Sequence, residues 1–167
     1  PFFTLLDHTT PGSLSLAATY TLGRNGRDTA FSPSGDYIAV AHGSYGFSLL
    51  DHTTPGSLSR AATYVVTGDG YATVFSPSGD YIAVGHQISP YFTLLDHTTP
   101  GSVTLATTYT LAGRGYGTAF SPSGDYIAVA HAGGGFTLLD HTTPGSLSLA
   151  ATYTLPSTGR GTDFSPN

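Results

Sequence analysis

Residues 31–42 read FSPSGDYIAVAH, and this stretch decides the fold. SPSG is turn chemistry, because Pro presets φ and Gly accepts a positive one. From Asp36 to His42 the side chains then alternate. Ile38 and Val40 point one way, and Tyr37, Ala39 and Ala41 the other, as on a β-strand. The same stretch returns from Phe75, with Gly85 in place of Ala41, and unchanged from Phe120, and it opens again as FSPN at Phe164. Between the copies lies a second block, LLDHTTPGS, with its Asp at Asp7, Asp51, Asp96 and Asp140, spacings of 44, 45 and 44 residues. After it comes a ten-residue alternating run, Ser13–Leu22 in the first copy, with Leu14, Leu16, Ala18, Tyr20 and Leu22 on one side. No stretch of ten residues shows a helical period with caps. A period near 44 without helices predicts an all-β chain of four-stranded units.

Composition narrows the function classes. Charged residues are only 9% of the chain and hydrophobic ones 39%, so Ser, Thr and Gly must carry solubility. There is no Cys, which excludes a disulfide framework and a Cys-based zinc site. A net charge of −5 with no Lys argues against nucleic acid as a partner. No apolar run approaches a membrane span, so no membrane partner is expected.

FSPSGDYIAVAH, a variable Gly-rich turn, FTLLDHTTPGS and LSLAATYTL together resemble one repeat of the WD-repeat β-propellers. The propeller repeats of bacterial surface and lactonase-like proteins are similar too. The resemblance covers essentially the whole chain and implies strands a, b, c and d in each blade. Trp-Asp, which names the WD family, is Leu-Asp here, as at Leu50-Asp51. The fold expected is a β-propeller built of about four repeats of ~44 residues, part of a larger ring or array. Its expected divisions are a partial blade c–d at 1–22, blades at 28–66, 72–111 and 117–155, and a partial strand a at 161–167. Open blade edges and apolar faces at both ends predict self-association.

The repeats differ from one another in only some turns. SPSGD and DHTTPGS are the same in every copy that contains them, whereas the b–c turns (from Gly43, Gln87 and Ala132) and the d–a turns (from Gly23, Thr67, Ala112 and Pro156) vary. In a propeller the variable turns share one face and the constant turns the other. The variable face holds Arg24, Arg27, Arg114 and Arg160 beside Tyr45, Tyr71, Tyr91 and Tyr116. Tyr and Arg dominate binding hot spots, and loops on a rigid scaffold carry recognition. These eight residues are the candidate binding site, for a protein or a glycan.

Catalytic signals are weak. Asp-His recurs in every unit, which suits a turn cap better than an active site, since active sites break symmetry. His42, His86 and His131 each end a strand b, which suits hydrogen bonding better than metal binding. GRGYG at 113–117 has no following helix to hold a phosphate. No GxSxG or HExxH motif occurs, so no cofactor, metal or catalytic residue is expected. The sequence therefore predicts a non-enzymatic scaffold or recognition module, placed extracellularly on a bacterial or phage (virion) surface. A fibre-forming assembly protein and a carbohydrate-binding lectin are the alternatives.

Overall fold

The computed structural model describes residues 2–44 and 46–166. They hold fourteen strands and no helix. β1 (Phe2–Asp7) and β2 (Ser15–Thr21) form a two-stranded sheet. Three four-stranded sheets follow. The first is β3 (Gly26–Phe31), β4 (Tyr37–His42), β5 (Gly46–Asp51) and β6 (Ser59–Val65). The second is β7 (Gly70–Phe75), β8 (Tyr81–His86), β9 (Tyr91–Asp96) and β10 (Thr104–Thr110). The third is β11 (Gly115–Phe120), β12 (Tyr126–His131), β13 (Gly135–Asp140) and β14 (Ser148–Thr154). Each is an antiparallel meander in chain order, so strand neighbours in sequence are neighbours in the sheet. The all-β, blade-like architecture expected from the repeat is the one observed.

Local chemistry sets the turns. Ser32 accepts Gly35 N–H on its carbonyl at 2.9 Å and Tyr37 N–H on its hydroxyl at 3.0 Å, with Gly35 at φ +82°. That closes SPSG and aims Tyr37 into β4. At the c–d turn Asp51 accepts the Thr53 N–H at 2.8 Å and its hydroxyl at 2.6 Å. Asp96 and Asp140 do the same with Thr98 and Thr142. These are the turn caps the recurring Asp predicted. Thr hydroxyl donors hold the carboxyls of Asp51, Asp96 and Asp140 below the ordinary 3.8, and the Thr9 N–H does so for Asp7. Folded pKa values below the unfolded ones stabilise the fold above pH 3.8 and lose that contribution as pH falls through the folded values. The urea midpoint should therefore decline below pH 3.8, and carboxyl NMR titration should place these four Asp below it; four midpoints at 3.8 would refute the caps.

Apolar clusters then join the sheets face to face. Ile38, Val40 and Leu50 pack with Leu22 against Phe3, Leu5 and Tyr20 of β1–β2. From the other face of the first sheet, Ala39, Phe47 and Leu49 meet Phe75, Ile82, Val84 and Leu95 of the second. Ala83, Phe92 and Leu94 meet Phe120, Ile127, Val129 and Leu139 of the third. The alternation read in DYIAVAH is this division, with Ile and Val on one face and Ala on the other.

Two details differ from the sequence reading. Each complete sheet starts two residues earlier than expected, at Gly26, Gly70 and Gly115, because strand a carries a β-bulge at its start. Residues 161–166 form no strand, and Asn167 lies outside the described residues. The segment nevertheless takes the strand-a position: Gly159 lies against the Gly135 carbonyl as Gly70 lies against that of Gly46.

Candidate functional site

The bulges build the site. In β3, Gly26 pairs with His42 and Asp28 with Ala41, leaving Arg27 as the extra residue. Tyr71 and Tyr116 are skipped in the same way in β7 and β11. A bulged residue leaves the ladder and its side chain is re-aimed. Here the re-aimed side chains meet across sheets. The Arg27 guanidinium stands 4.4 Å from the Tyr71 ring centroid, Tyr71 and Tyr116 are 5.1 Å apart, and the Arg160 guanidinium is 5.5 Å from Tyr116. The result is a row, Arg27–Tyr71–Tyr116–Arg160, running over three sheets and the terminal segment, held by cation–π and aromatic contacts.

At one end the row opens into a cleft of about 240 Å³ lined by Arg24, Asn25, Arg27, Gly43, Ser44 and Asp69. Asp69 orders it. One carboxylate oxygen accepts Arg27 Nη2 at 2.6 Å, the other accepts the Ser44 N–H at 2.8 Å. Ser44 sits at φ +61°, a left-handed conformation that costs a non-glycine residue energy and clusters at functional sites. Side chains of Arg27 and Asp69 are 38% and 27% exposed, so the ion pair faces solvent and either partner can reach a ligand.

The structure brings together five of the eight candidate residues: Arg24 and Arg27 in the cleft, and Tyr71, Tyr116 and Arg160 along the row. Arg114 is exposed beside Tyr116, whose hydroxyl raises the guanidinium above its ordinary value. Tyr91 is half-buried and packs on the second-to-third sheet cluster, away from the row. Tyr45 lies outside the described residues. Sequence reasoning did not single out Asp69, Asn25 and Ser44. Their signal was asymmetry, since the positions matching Asp69 in the other d–a turns hold Asn25, Arg114 and Thr158.

The histidines are engaged elsewhere. His86 donates from Nδ1 to the carbonyls of Thr67 and Ile88, and its Nε2 meets the Thr93 hydroxyl at 3.0 Å. Burial pushes its pKa down and keeps it neutral. His42 and His131 repeat the arrangement with Ser48 and Thr137. His52, His97 and His141 bond Gly35, Gly79 and Gly124 on the opposite face. A larger cleft of about 590 Å³ beside β1 also lies on that opposite face, among Leu5, Leu6, Phe31 and His52. It holds no Arg or Tyr.

No family model and no curated protein sequence matches this chain. Solved structures do. A protein from Lactobacillus plantarum is 20% identical with a TM-score of 0.80, covering 95% of this chain and 51% of its own. A periplasmic gluconolactonase from Pseudomonas aeruginosa is 16% identical with a TM-score of 0.78, covering 93% and 51%. A protein from Bacteroides uniformis assigned as a 6-phosphogluconolactonase is 13% identical with a TM-score of 0.79, covering 93% and 50%. The chain thus spans about half the length of these structures. At such identity the likeness is one of fold alone, consistent with the β-propeller-like architecture read in the repeats; none of the three is named as a WD-repeat protein. It also corrects the functional expectation. Two of these propellers, matched over nearly all of this chain, are named as lactonases, so the inference from propeller fold to a non-catalytic scaffold, fibre protein or lectin without enzymatic activity does not stand.

Proposed function

We propose that this chain belongs to a propeller that hydrolyses sugar-acid lactones, with the Arg24–Arg27–Asp69 cleft as its reaction site. The Arg27–Asp69 pair carries this reading: it sets a carboxylate and a guanidinium 2.6 Å apart in an open polar cleft on the variable-turn face. Lactone hydrolysis needs those two functions together. Water adds to the lactone carbonyl carbon, and the carbonyl electron pair moves onto its oxygen. The oxyanion then re-forms the carbonyl as the ring C–O bond breaks. Each Asp69 oxygen keeps an unused lone pair, so the carboxylate can take a proton from the attacking water and return it to the departing ring oxygen. Arg27, with Arg24 beside it, stabilises the oxyanion and then the product carboxylate. The Tyr71 and Tyr116 rings give the flat face of the sugar a stacking surface. The names of the fold's gluconolactonase and 6-phosphogluconolactonase relatives support this substrate class.

The test is acid release from gluconolactone and its 6-phosphate at fixed pH, above the spontaneous rate. Catalysis should be measurable, and Arg27→Ala or Asp69→Asn should lower kcat/KM by roughly 100-fold or more, the loss typical of a transition-state donor. Rates indistinguishable from the spontaneous reaction for both lactones would refute the proposal.

A further inference from the structure

The cleft between Gly43 and Asp69 holds one more cation than its own carboxylate neutralises. Arg24 and Arg27 both line it, against Asp69 alone, which leaves a local charge of +1 in a chain whose net charge is −5. The carboxylate is committed, one oxygen to Arg27 Nη2 at 2.6 Å and the other to the Ser44 N–H at 2.8 Å. Asp28 is close in sequence, but its oxygens accept the Thr29 and Thr73 N–H groups at 2.9 and 2.8 Å, and it does not line the cleft. Among the described residues Arg27–Asp69 is the one ion pair, so the exposed Arg24 guanidinium has no carboxylate partner there. Its place is fixed by neighbouring turns: the Gly43 N–H donates to the Asn25 carbonyl at 3.1 Å, and a Cβ on Gly43 would stand 3.4 Å from that of Arg24.

The surplus cation distinguishes the two ends of lactone hydrolysis. An unsubstituted sugar lactone is neutral. Opening it breaks the ring C–O bond, leaves a hydroxyl on one carbon and a carboxylic acid on the other, and the acid gives its proton to water at neutral pH. The product is therefore an anion. A guanidinium offers a carboxylate two parallel charge-assisted hydrogen bonds, which the single carbonyl oxygen of a lactone cannot accept in the same way. Repulsion between this carboxylate and Asp69 is offset locally, because Arg27 lies directly against the Asp69 oxygen.

We infer that the cleft is a seat for an open-chain hydroxy-acid anion, with Arg24 on its carboxylate, and that it holds this anion more tightly than the neutral lactone. In a working lactonase the consequence is inhibition by its own product: lactone opening slows as the acid accumulates and resumes as the acid is consumed. That consequence rests on the lactonase reading. Binding of the hydroxy acid itself needs no turnover, so the two can fail separately.

Calorimetric titration of the 167-residue chain with gluconate, no lactone present, reads the binding; sorbitol, a hydroxyl chain of the same length without the carboxylate, is the control. Gluconate should bind roughly 10-fold or more tightly than sorbitol, and Arg24→Gln should remove that margin. Arg24 is exposed, so the variant should keep a wild-type circular dichroism spectrum. In the acid-release assay added gluconate should inhibit competitively, with an inhibition constant below KM for gluconolactone. Gluconate bound no better than sorbitol, a margin that Arg24→Gln leaves in place, or turnover that gluconate does not inhibit would each overturn the inference. Acid release at the spontaneous rate together with Arg24-dependent gluconate binding would strike the lactonase reading and uphold the hydroxy-acid seat.

Discussion

Phe92→Ala is expected to lower the unfolding free energy by about 3–5 kcal/mol, the range for truncating a buried Phe. Phe92 is 0% exposed and lies in the cluster that joins the second sheet to the third, against Leu111, Phe120 and Ile127 among others. Truncation removes apolar surface from a junction between two sheets and leaves a cavity walled by both. Neither sheet can collapse into the space without dragging its ladder along. In a chain of this size each kcal/mol moves the melting temperature by roughly 2–4 °C, so a drop on the order of 10 °C should appear in a thermal melt. Leu16→Ala, at a side chain 64% exposed, is the control and should stay within about 0.5 kcal/mol of wild type. Equal losses at both positions would mean that the sheets are not joined through Phe92.

The second large effect is expected from a single added methyl. A Cβ at Gly115 would stand 2.8 Å from the Tyr91 carbonyl oxygen and 3.0 Å from Gly85 Cα. Both are backbone atoms, so no side chain can swing away to make room. Gly115→Ala must instead push β11 off the second sheet, at a cost of about 3 kcal/mol, the upper range for overpacking. The shift falls on the residue before Tyr116, so the contact between Tyr71 and Tyr116 should be lost with it. Gly23→Ala, where a Cβ meets nothing within 4 Å, should be nearly silent in the same urea titration. A silent Gly115→Ala would refute the close approach of strand a to its neighbouring sheet.

Much of this architecture was legible in the sequence because the chain states it repeatedly. SPSG and DHTTPGS named their turns, DYIAVAH named an alternating strand, and the split between variable and constant turns named the two ends of each sheet. Those features depend on neighbours close in sequence. The site depends on neighbours that are not. Arg27 and Asp69 are 42 residues apart, and nothing in either turn announces the other. The bulges were hidden as well, since Gly-Arg-Asp and Gly-Tyr-Ala read as the ends of variable turns until their partners in β4 and β8 are known. The repeated Asp was read rightly as a turn cap. The cleft lies where the repeat breaks, since Asp69 has no acidic counterpart at Asn25, Arg114 or Thr158.

The bulges carry a last consequence, for how this molecule can change. At the bulge positions 27, 71 and 116 the residue is skipped in the a–b ladder register and is not fully buried. Its side chain can be exchanged without disturbing the register of the strand behind it. Position 160 shares that place in the repeat, and the four read Arg, Tyr, Tyr, Arg while DHTTPGS on the opposite face stays constant. The rim is therefore a set of interchangeable letters on a fixed frame, and its four residues can change with the frame left as it is.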